Sequence, residues 1–219
     1  MSRTVTFLVV DDHPIFRQGL VALIRSDERY QVCGEAGSVE EAMDSLRAAV
    51  PDIALVDISL TGVSGLDLVK QLKAAHPRVL VLIISMHDEA VYAARALKAG
   101  ARGYIMKQEA AEVMLEAITT VLAGKIYVSA AMRDRLLETM FSDTLDADAP
   151  GTVERLSDRE LGVLEMIGQG YGAAEIARTL NLSVKTVNAY RDHIKEKLHI
   201  DGAGDLRRYA VKWVQSRDR

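Results

Sequence analysis

An α/β unit built on a five-stranded parallel sheet, followed by a smaller all-helical unit, is the fold this 219-residue sequence predicts. Three observations carry it. Short apolar runs alternate with helical patterns up to residue 124, the arrangement of βα units wound into one parallel sheet. Beyond residue 152 every periodic pattern is helical. Between the two lies Ser142-Asp143-Thr144-Leu145-Asp146-Ala147-Asp148-Ala149-Pro150-Gly151, which is small, acidic and aperiodic and reads as a flexible linker. The expected organisation is residues 1–124, a linker helix with the acidic segment over 125–152, and a helical domain over 153–219.

Taken in order, the predicted strands are Val5–Val10, Gln31–Ala36, Ile53–Asp57, Val79–Ser85 and Gly103–Met106. They are short, continuous and rich in Val, Ile and Leu, as strands covered on both faces are. The helices between and after them are predicted over Pro14–Arg25, Val39–Ala49, Ser64–Ala75, Glu89–Ala99 and Ala110–Ala123. Ser38 and Glu41 form a capping-box pattern, and Gly100 and Gly124 stand where helix ends favour a left-handed residue. Residues 129–141 place Met132, Leu136, Leu137 and Met140 on one helical face. In the last domain, helices are expected at Asp158–Gly168, Ala173–Leu180, Val184–Leu198 and Asp205–Gln215, with Ser157/Glu160 as a second capping box and Ser183 as an N-cap.

Composition narrows the class. Hydrophobic residues make up 49% of the chain, enough for real cores. No apolar run approaches the roughly 18–20 residues of a membrane span, and the N-terminus lacks a signal-peptide pattern, so a cytoplasmic protein without membrane contact is expected. Cys33 is the only cysteine, expected as a small apolar residue on a strand. Net charge is −4, but residues 152–219 carry 12 Lys/Arg against 10 Asp/Glu while 1–125 carry 13 against 16. That shift hints at a C-terminal part able to approach a polyanion.

The chemistry gathers at strand ends. Asp11 and Asp12 close the first apolar run and Asp57 closes the third. Ligands of open α/β sheets sit beyond the carboxyl ends of the strands, so the three carboxylates are expected to meet. Like charges that close repel unless a cation or protons neutralise them, and hard oxygen ligands suit Mg²⁺. Each residue also has an ordinary reading. Asp12 could cap a helix, Ser85 satisfy a buried polar group, Tyr104 fill core, and Lys107 sit in solvent. His13 and His87 flank the site and are read as surface or loop residues rather than metal ligands, because the carboxylates already supply a hard site.

Taken together, Asp11-Asp12, Asp57, Ser85, Tyr104 and Lys107, each at or near a strand end, make residues 1–124 resemble the receiver domain of two-component response regulators. The resemblance implies a flavodoxin-like sheet of order 2-1-3-4-5. It implies Asp57 as the phosphoacceptor, forming an acyl phosphate. Mg²⁺ is then held by Asp12 and Asp57, by Asp11 through water, and by the backbone carbonyl of Ser59. Lys107 neutralises a phosphoryl oxygen, Ser85 donates to another, and Tyr104 moves toward the space Ser85 leaves. Thr61 stands where the family often has proline, and Gly62 and Gly65 are expected to keep that loop permissive. Ser59 and His87 lie near the expected path of attacking water.

Residues 155–215 resemble the helix-turn-helix domain of LuxR-type regulators. The carrying residues are Leu156-Ser157-Asp158-Arg159-Glu160, Val163-Leu164, Gly170, Glu175-Ile176-Ala177, Leu180, Leu182-Ser183, Lys185-Thr186-Val187, Ile194 and Lys197-Leu198. With the receiver, the whole chain is similar to the NarL/FixJ family. The implied third helix enters the major groove and presents Lys185, Asn188, Ala189, Arg191, Asp192 and Lys195. Lys185, Arg191 and Lys195 suit phosphates, Asn188 suits adenine, Ala189 a thymine methyl, and Asp192 cytosine N4. Positions 188 and 192 are often lysine in the family, and Tyr190 stands where histidine is common, so modest affinity per monomer and reliance on a dimer are expected.

The expected function is a transcriptional regulator, not an enzyme. A sensor histidine kinase phosphorylates Asp57, and a homodimer then binds double-stranded promoter DNA. The fourth helix, with Leu206, Ala210, Val211 and Trp213, is either dimer surface or core. Two other classes stand beside this reading. One is a phosphoryl hydrolase, distinguished by turnover of small phosphate esters. The other is a phosphorylation-independent DNA binder with a vestigial receiver, distinguished by unchanged binding in Asp57→Ala.

Overall fold

The computed structural model describes residues 3–60, 63–141 and 152–216. The acidic segment 142–151 and the pair Thr61-Gly62 lie outside the described residues, as does the Met140 side chain. The chain divides into two compact units, Met1–Ser142 and Asp143–Arg219.

The first unit is a parallel five-stranded sheet ordered β2-β1-β3-β4-β5, with β1 at Val5–Val10, β2 at Tyr30–Ala36, β3 at Ile53–Val56, β4 at Leu80–Ser85 and β5 at Gly103–Met106. Side chains alternate between its two faces. Phe7, Val9, Ile53, Leu55, Leu82, Ile84 and Ile105 pack with α1 (Pro14–Arg25) and α5 (Ala111–Leu122). Leu8, Val10, Ala54, Val56, Val81 and Ile83 alternate with them and are equally buried. α2 (Val39–Ala48), α3 (Gly65–Ala75) and α4 (Glu89–Ala99) complete the unit's helical layers. Burial on both faces explains why these strands read as unbroken apolar runs. Each fully buried Leu, Ile or Phe stabilises the fold by about 1.5–3 kcal/mol relative to exposure.

Local chemistry sets the element ends. Ser38 caps α2 by accepting the Glu41 N–H, but the Glu41 carboxylate reaches one residue further, to the Gly37 N–H at 2.6 Å. Ser64 accepts the Leu66 N–H, so it caps α3 instead of opening it. Gly100, Gly124 and Gly170 take positive φ where helices end. The pairing of β1 with β2 slips between Phe7 and Leu8, which leaves Cys33 as the extra residue of a bulge. Its Sγ lies 3.3 Å from the Phe7 carbonyl, and burial raises the thiol pKa, so it stays protonated and inert.

After α5 the chain returns to the edge strand β5. Tyr104 N–H donates to the Tyr127 carbonyl and Tyr127 N–H to the Arg102 carbonyl, which covers an edge that would otherwise stay open. Ser129 N–H then donates to Glu89 at 2.8 Å, and α6 (Ala130–Phe141) buries Met132 in this unit. Leu137 on the same helix is exposed.

The second unit is wholly helical among its described residues. A short 3-10 turn at Val153–Arg155 precedes α7 (Asp158–Gly168), α8 (Ala173–Thr179), α9 (Val184–Leu198) and α10 (Ala203–Gln215). Leu161, Leu164, Ile167, Ile176, Ala177, Val187, Ile194 and Leu198 form its core, with Leu180 and Leu182 half-buried. Leu206 and Ala210 of α10 are fully buried, and a Cβ on Gly168 would sit 2.5 Å from the Ala210 carbonyl. The inner face of α10 is therefore core of its own unit. Val211 and Trp213 are only half-buried.

Candidate functional site

The ends of β1 and β3 bring the carboxylates together. Asp57 follows β3, its N–H held by the Val10 carbonyl at 2.9 Å, and Asp11 follows β1, its N–H held by the Ala36 carbonyl. Asp11 and Asp57 are buried, while Asp12 is partly exposed. Lys107, just beyond β5, reaches back with its Nζ 2.8 Å from Asp57 Oδ2 and 2.7 Å from Asp11 Oδ2. Its side chain is only 4% exposed and lies over the Phe16 ring. So Lys107 is a buried counter-charge and not a solvated lysine.

Burial raises the Asp57 pKa, and the Lys107 ammonium opposes that rise. The Ser59 backbone N–H also opposes the rise, but no full hydrogen bond reaches the buried Oδ1 of Asp57 among the described residues. A buried oxygen without a partner is costly unless a ligand completes it. Asp11, Asp12, His13 and Asp57 each offer one donor atom, all within 4.8 Å of one another. The oxygen donors fit a hard divalent cation such as Mg²⁺.

Ser85, Tyr104 and His87 form the adjoining wall. Ser85 is fully buried at the end of β4, and its Oγ accepts the His87 N–H at 3.1 Å. Tyr104 is fully buried and its hydroxyl donates to the His87 carbonyl at 2.7 Å. The His87 ring packs on Tyr92, and its Nε2 lies 2.7 Å from Ser59 Oγ. Ser59 and His87 thus meet across the mouth of the site.

Gly65 was expected to serve loop flexibility. Its structural reason is close approach instead, because a Cβ there would fall 1.8 Å from the Asp57 carbonyl oxygen. The Gly65 N–H donates to the Ile58 carbonyl, which locks α3 against the segment carrying Asp57.

In the second unit, α8 and α9 are joined by a turn in which Asn181 takes positive φ and Ser183 caps α9 through the Thr186 N–H. Lys185, Asn188, Ala189 and Asp192 are exposed, and Arg191 and Lys195 half-buried. Asp192 pairs with Lys195 at 2.9 Å, and that ammonium holds its carboxyl below the usual carboxylate range. The pair reduces the repulsion that a bare Asp192 would offer a phosphate.

A buried strut fixes α9, and sequence reasoning saw only half of it. Glu160 is 3% exposed. Its Oε2 accepts the Ser157 N–H at 2.7 Å, completing the capping box, and also takes the Lys197 ammonium at 2.6 Å. Burial raises its pKa, but the bonds from Lys197 and Ser157 outweigh that and lower it. Glu160→Gln should cost about 1.5–3 kcal/mol, the worth of a charged hydrogen bond, measured as a lower midpoint of thermal unfolding of the second unit.

Comparison with known proteins agrees with this geometry. Residues 7–119 match the response regulator receiver domain, and residues 154–210 match the bacterial regulatory proteins of the luxR family. The oxygen regulatory protein NreC of Staphylococcus carnosus is 34% identical over 208 residues, covering 94% of this chain and 96% of that protein. The response regulator GacA of Pseudomonas aeruginosa is 34% identical over 208 residues, covering 95% of this chain and 96% of that protein. Among solved structures, a LuxR-family two-component response regulator from an Aurantimonas species has a TM-score of 0.59 at 32% identity, covering 64% of this chain and 99% of that one. The RcsB response regulator of Salmonella typhimurium has a TM-score of 0.57 at 25% identity, covering 95% and 98%. With a carboxylate pocket closing its parallel sheet and a capped helix-turn-helix in its second unit, the chain belongs to the two-component response regulators of the NarL/FixJ family.

Proposed function

We propose that this chain is a transcription regulator, without an enzymatic output of its own, whose DNA binding is switched by phosphorylation of Asp57 from a sensor histidine kinase. The observation that carries the reading is the buried, unpartnered Oδ1 of Asp57 beside a carboxylate set and the Lys107 ammonium. In the transfer, an Asp57 carboxylate oxygen attacks phosphorus of the kinase's phosphohistidine. The P–N bond breaks, the imidazole leaves, and an acyl phosphate remains. Asp11, Asp12 and Asp57, with the Ser59 backbone carbonyl, would hold Mg²⁺, which supplies positive charge to the phosphoryl oxygens when bound. Lys107 neutralises a further oxygen, and Ser85 turns its hydroxyl from His87 to the phosphoryl group. Tyr104 follows into the space, which re-shapes the face of α4, β5 and α5. That face biases the chain toward a homodimer, so that two copies of α9 reach half-sites about one helical turn apart. Lys185, Arg191 and Lys195 then hold phosphates, and Asn188, Ala189 and Asp192 face base edges. Such a regulator works in the cytoplasm; no helix among the described residues is long and apolar enough to cross a membrane.

Sequencing the genomic fragments retained by the purified chain, with and without Mg²⁺ and beryllofluoride at one fixed salt concentration, tests this reading. Enrichment of a palindromic motif only with the phosphoryl mimic is expected. Enrichment of the same fragments in both conditions would remove Asp57 as the control.

The Ser59–His87 contact makes a second expectation concrete. It holds the imidazole across the mouth, where it limits access of water. Ser59→Ala and His87→Ala should each shorten the acyl-phosphate lifetime by roughly two- to tenfold, the worth of about one hydrogen bond. Decay of the phosphorylated chain, followed by intact mass, would count against the contact if both variants kept the wild-type rate.

A further inference from the structure

We infer that His13 is a nitrogen ligand of the acidic pocket, which makes the site select a first-row divalent transition ion over Mg²⁺. The inference rests on the pocket being a cation site, and goes beyond it in adding a donor and a preference.

His13 is the N-cap residue of α1, yet its side chain makes no capping bond. The ring is instead turned across the carboxylates. Its Nδ1 lies 2.8 Å from Asp12 Oδ1, 3.3 Å from Asp11 Oδ1 and 4.0 Å from Asp57 Oδ2. Donors about 2.1 Å from one octahedral ion stand about 3 Å apart when adjacent and about 4.2 Å apart when opposite. The first two separations fit octahedral edges and the third fits a diagonal. The placement is fixed by backbone as well as by charge, since the His13 N–H donates to Asp11 Oδ1 at 2.8 Å and Pro14 opens the helix beside it. A separate feature points to a ligand in the same pocket, namely the buried Asp57 Oδ1 that accepts no hydrogen bond among the described residues.

The donor set decides the preference. Mg²⁺ is served by oxygen alone and gains little from imidazole, whereas Mn²⁺, Fe²⁺, Co²⁺ and Ni²⁺ bind nitrogen with rising strength. With Nδ1 on the ion, Nε2 carries the ring proton on the solvent side, where the His13 side chain is 63% exposed. Mn²⁺ is the strictest probe, because it is the weakest of the series.

The test uses the full chain with Mn²⁺ alone. Binding is followed by the electron paramagnetic resonance of the free ion, with Mg²⁺ as competitor. The electron spin-echo modulation of the bound ion is recorded with natural and ¹⁵N-histidine protein. The expected result is a histidine nitrogen coupling in the wild type that is absent in His13→Ala and in His13→Asn. Mn²⁺ affinity should fall about tenfold in both variants, about 1.4 kcal/mol, with Mg²⁺ affinity nearly unchanged. Because the side chain is largely exposed, both variants should fold, which circular dichroism checks. Bound Mn²⁺ with no nitrogen coupling would overturn the inference and leave the carboxylate site standing. Equal losses for both ions would overturn the claimed preference. No binding that Asp57→Asn weakens would overturn the pocket itself.

Discussion

Replacing Asp57 with asparagine should abolish phosphorylation and, with it, every effect of a phosphoryl donor on DNA binding. The carboxylate is the attacking group; it is buried at the end of β3, its Oδ1 accepts no hydrogen bond among the described residues, and its Oδ2 is held by Lys107. Intact mass after incubation with acetyl phosphate and Mg²⁺ should show one added phosphoryl group on the wild type and none on the variant. A phosphorylated variant would mean that another residue accepts.

The same substitution should change stability in a pH-dependent way. Burial raises the Asp57 pKa above its ordinary 3.8. The folded chain therefore keeps that proton to higher pH than the unfolded chain does. The stability this lends is fully present below 3.8 and is lost as pH rises through the raised value. Without divalent metal, the thermal midpoint of the wild type should fall across that window, and Asp57→Asn should remove this part of the slope. At neutral pH, Mg²⁺ at a hundred times its dissociation constant should return about 2.7 kcal/mol to the wild type and much less to the variant.

Gly65→Ala should be the most damaging single-methyl change near the site. The added Cβ would lie 1.8 Å from the Asp57 carbonyl oxygen, 2.8 Å from its carbon and 3.0 Å from Ile58 Cα. All three are backbone atoms, so no side chain can swing away. Either α3 retreats and loses the Gly65-to-Ile58 bond, or the segment bearing Asp57 shifts. Overpacking of this kind costs about 3 kcal/mol. For a unit of this size that is a drop of roughly 10 °C in the midpoint of unfolding. Gly19→Ala is the internal control, since its Cβ would meet nothing within 4 Å. Equal midpoints for the two variants would show that the close approach does not exist in solution.

Most of the fold was legible because it is written in local patterns. Strands covered on both faces produce unbroken Val, Ile and Leu runs, so β1, β3 and β5 stand out, and caps such as Ser157 and Ser183 mark helix starts. Ends moved by a residue where a side chain took a capping bond, as when Ser64 capped α3 instead of opening it. The Cys33 bulge and the return of Tyr127 to the edge of β5 were not legible, because both depend on pairing between segments distant in sequence. The candidate site divides the same way. Asp11, Asp12, Asp57, Ser85, Tyr104 and Lys107 announced themselves at strand ends. The bond of Ser59 to His87 spans 28 positions and exists only because β3 and β4 are neighbours. His13 looked like a loop residue because a sequence does not show that its ring is spared from capping and laid across the carboxylates. The Glu160 capping box was visible, but its tie to Lys197 across 37 positions was not.

Control of the whole chain's DNA affinity by one modified aspartate is the proposal on which the rest depends. It is tested most directly by fluorescence anisotropy of an enriched DNA motif against the full-length protein at fixed salt. Wild type and Asp57→Asn are each measured with Mg²⁺, before and after adding beryllofluoride. The wild type should tighten about tenfold or more, at least about 1.4 kcal/mol, and the variant should not change. Equal affinity of the wild type in both conditions, or the same tightening in Asp57→Asn, would contradict it.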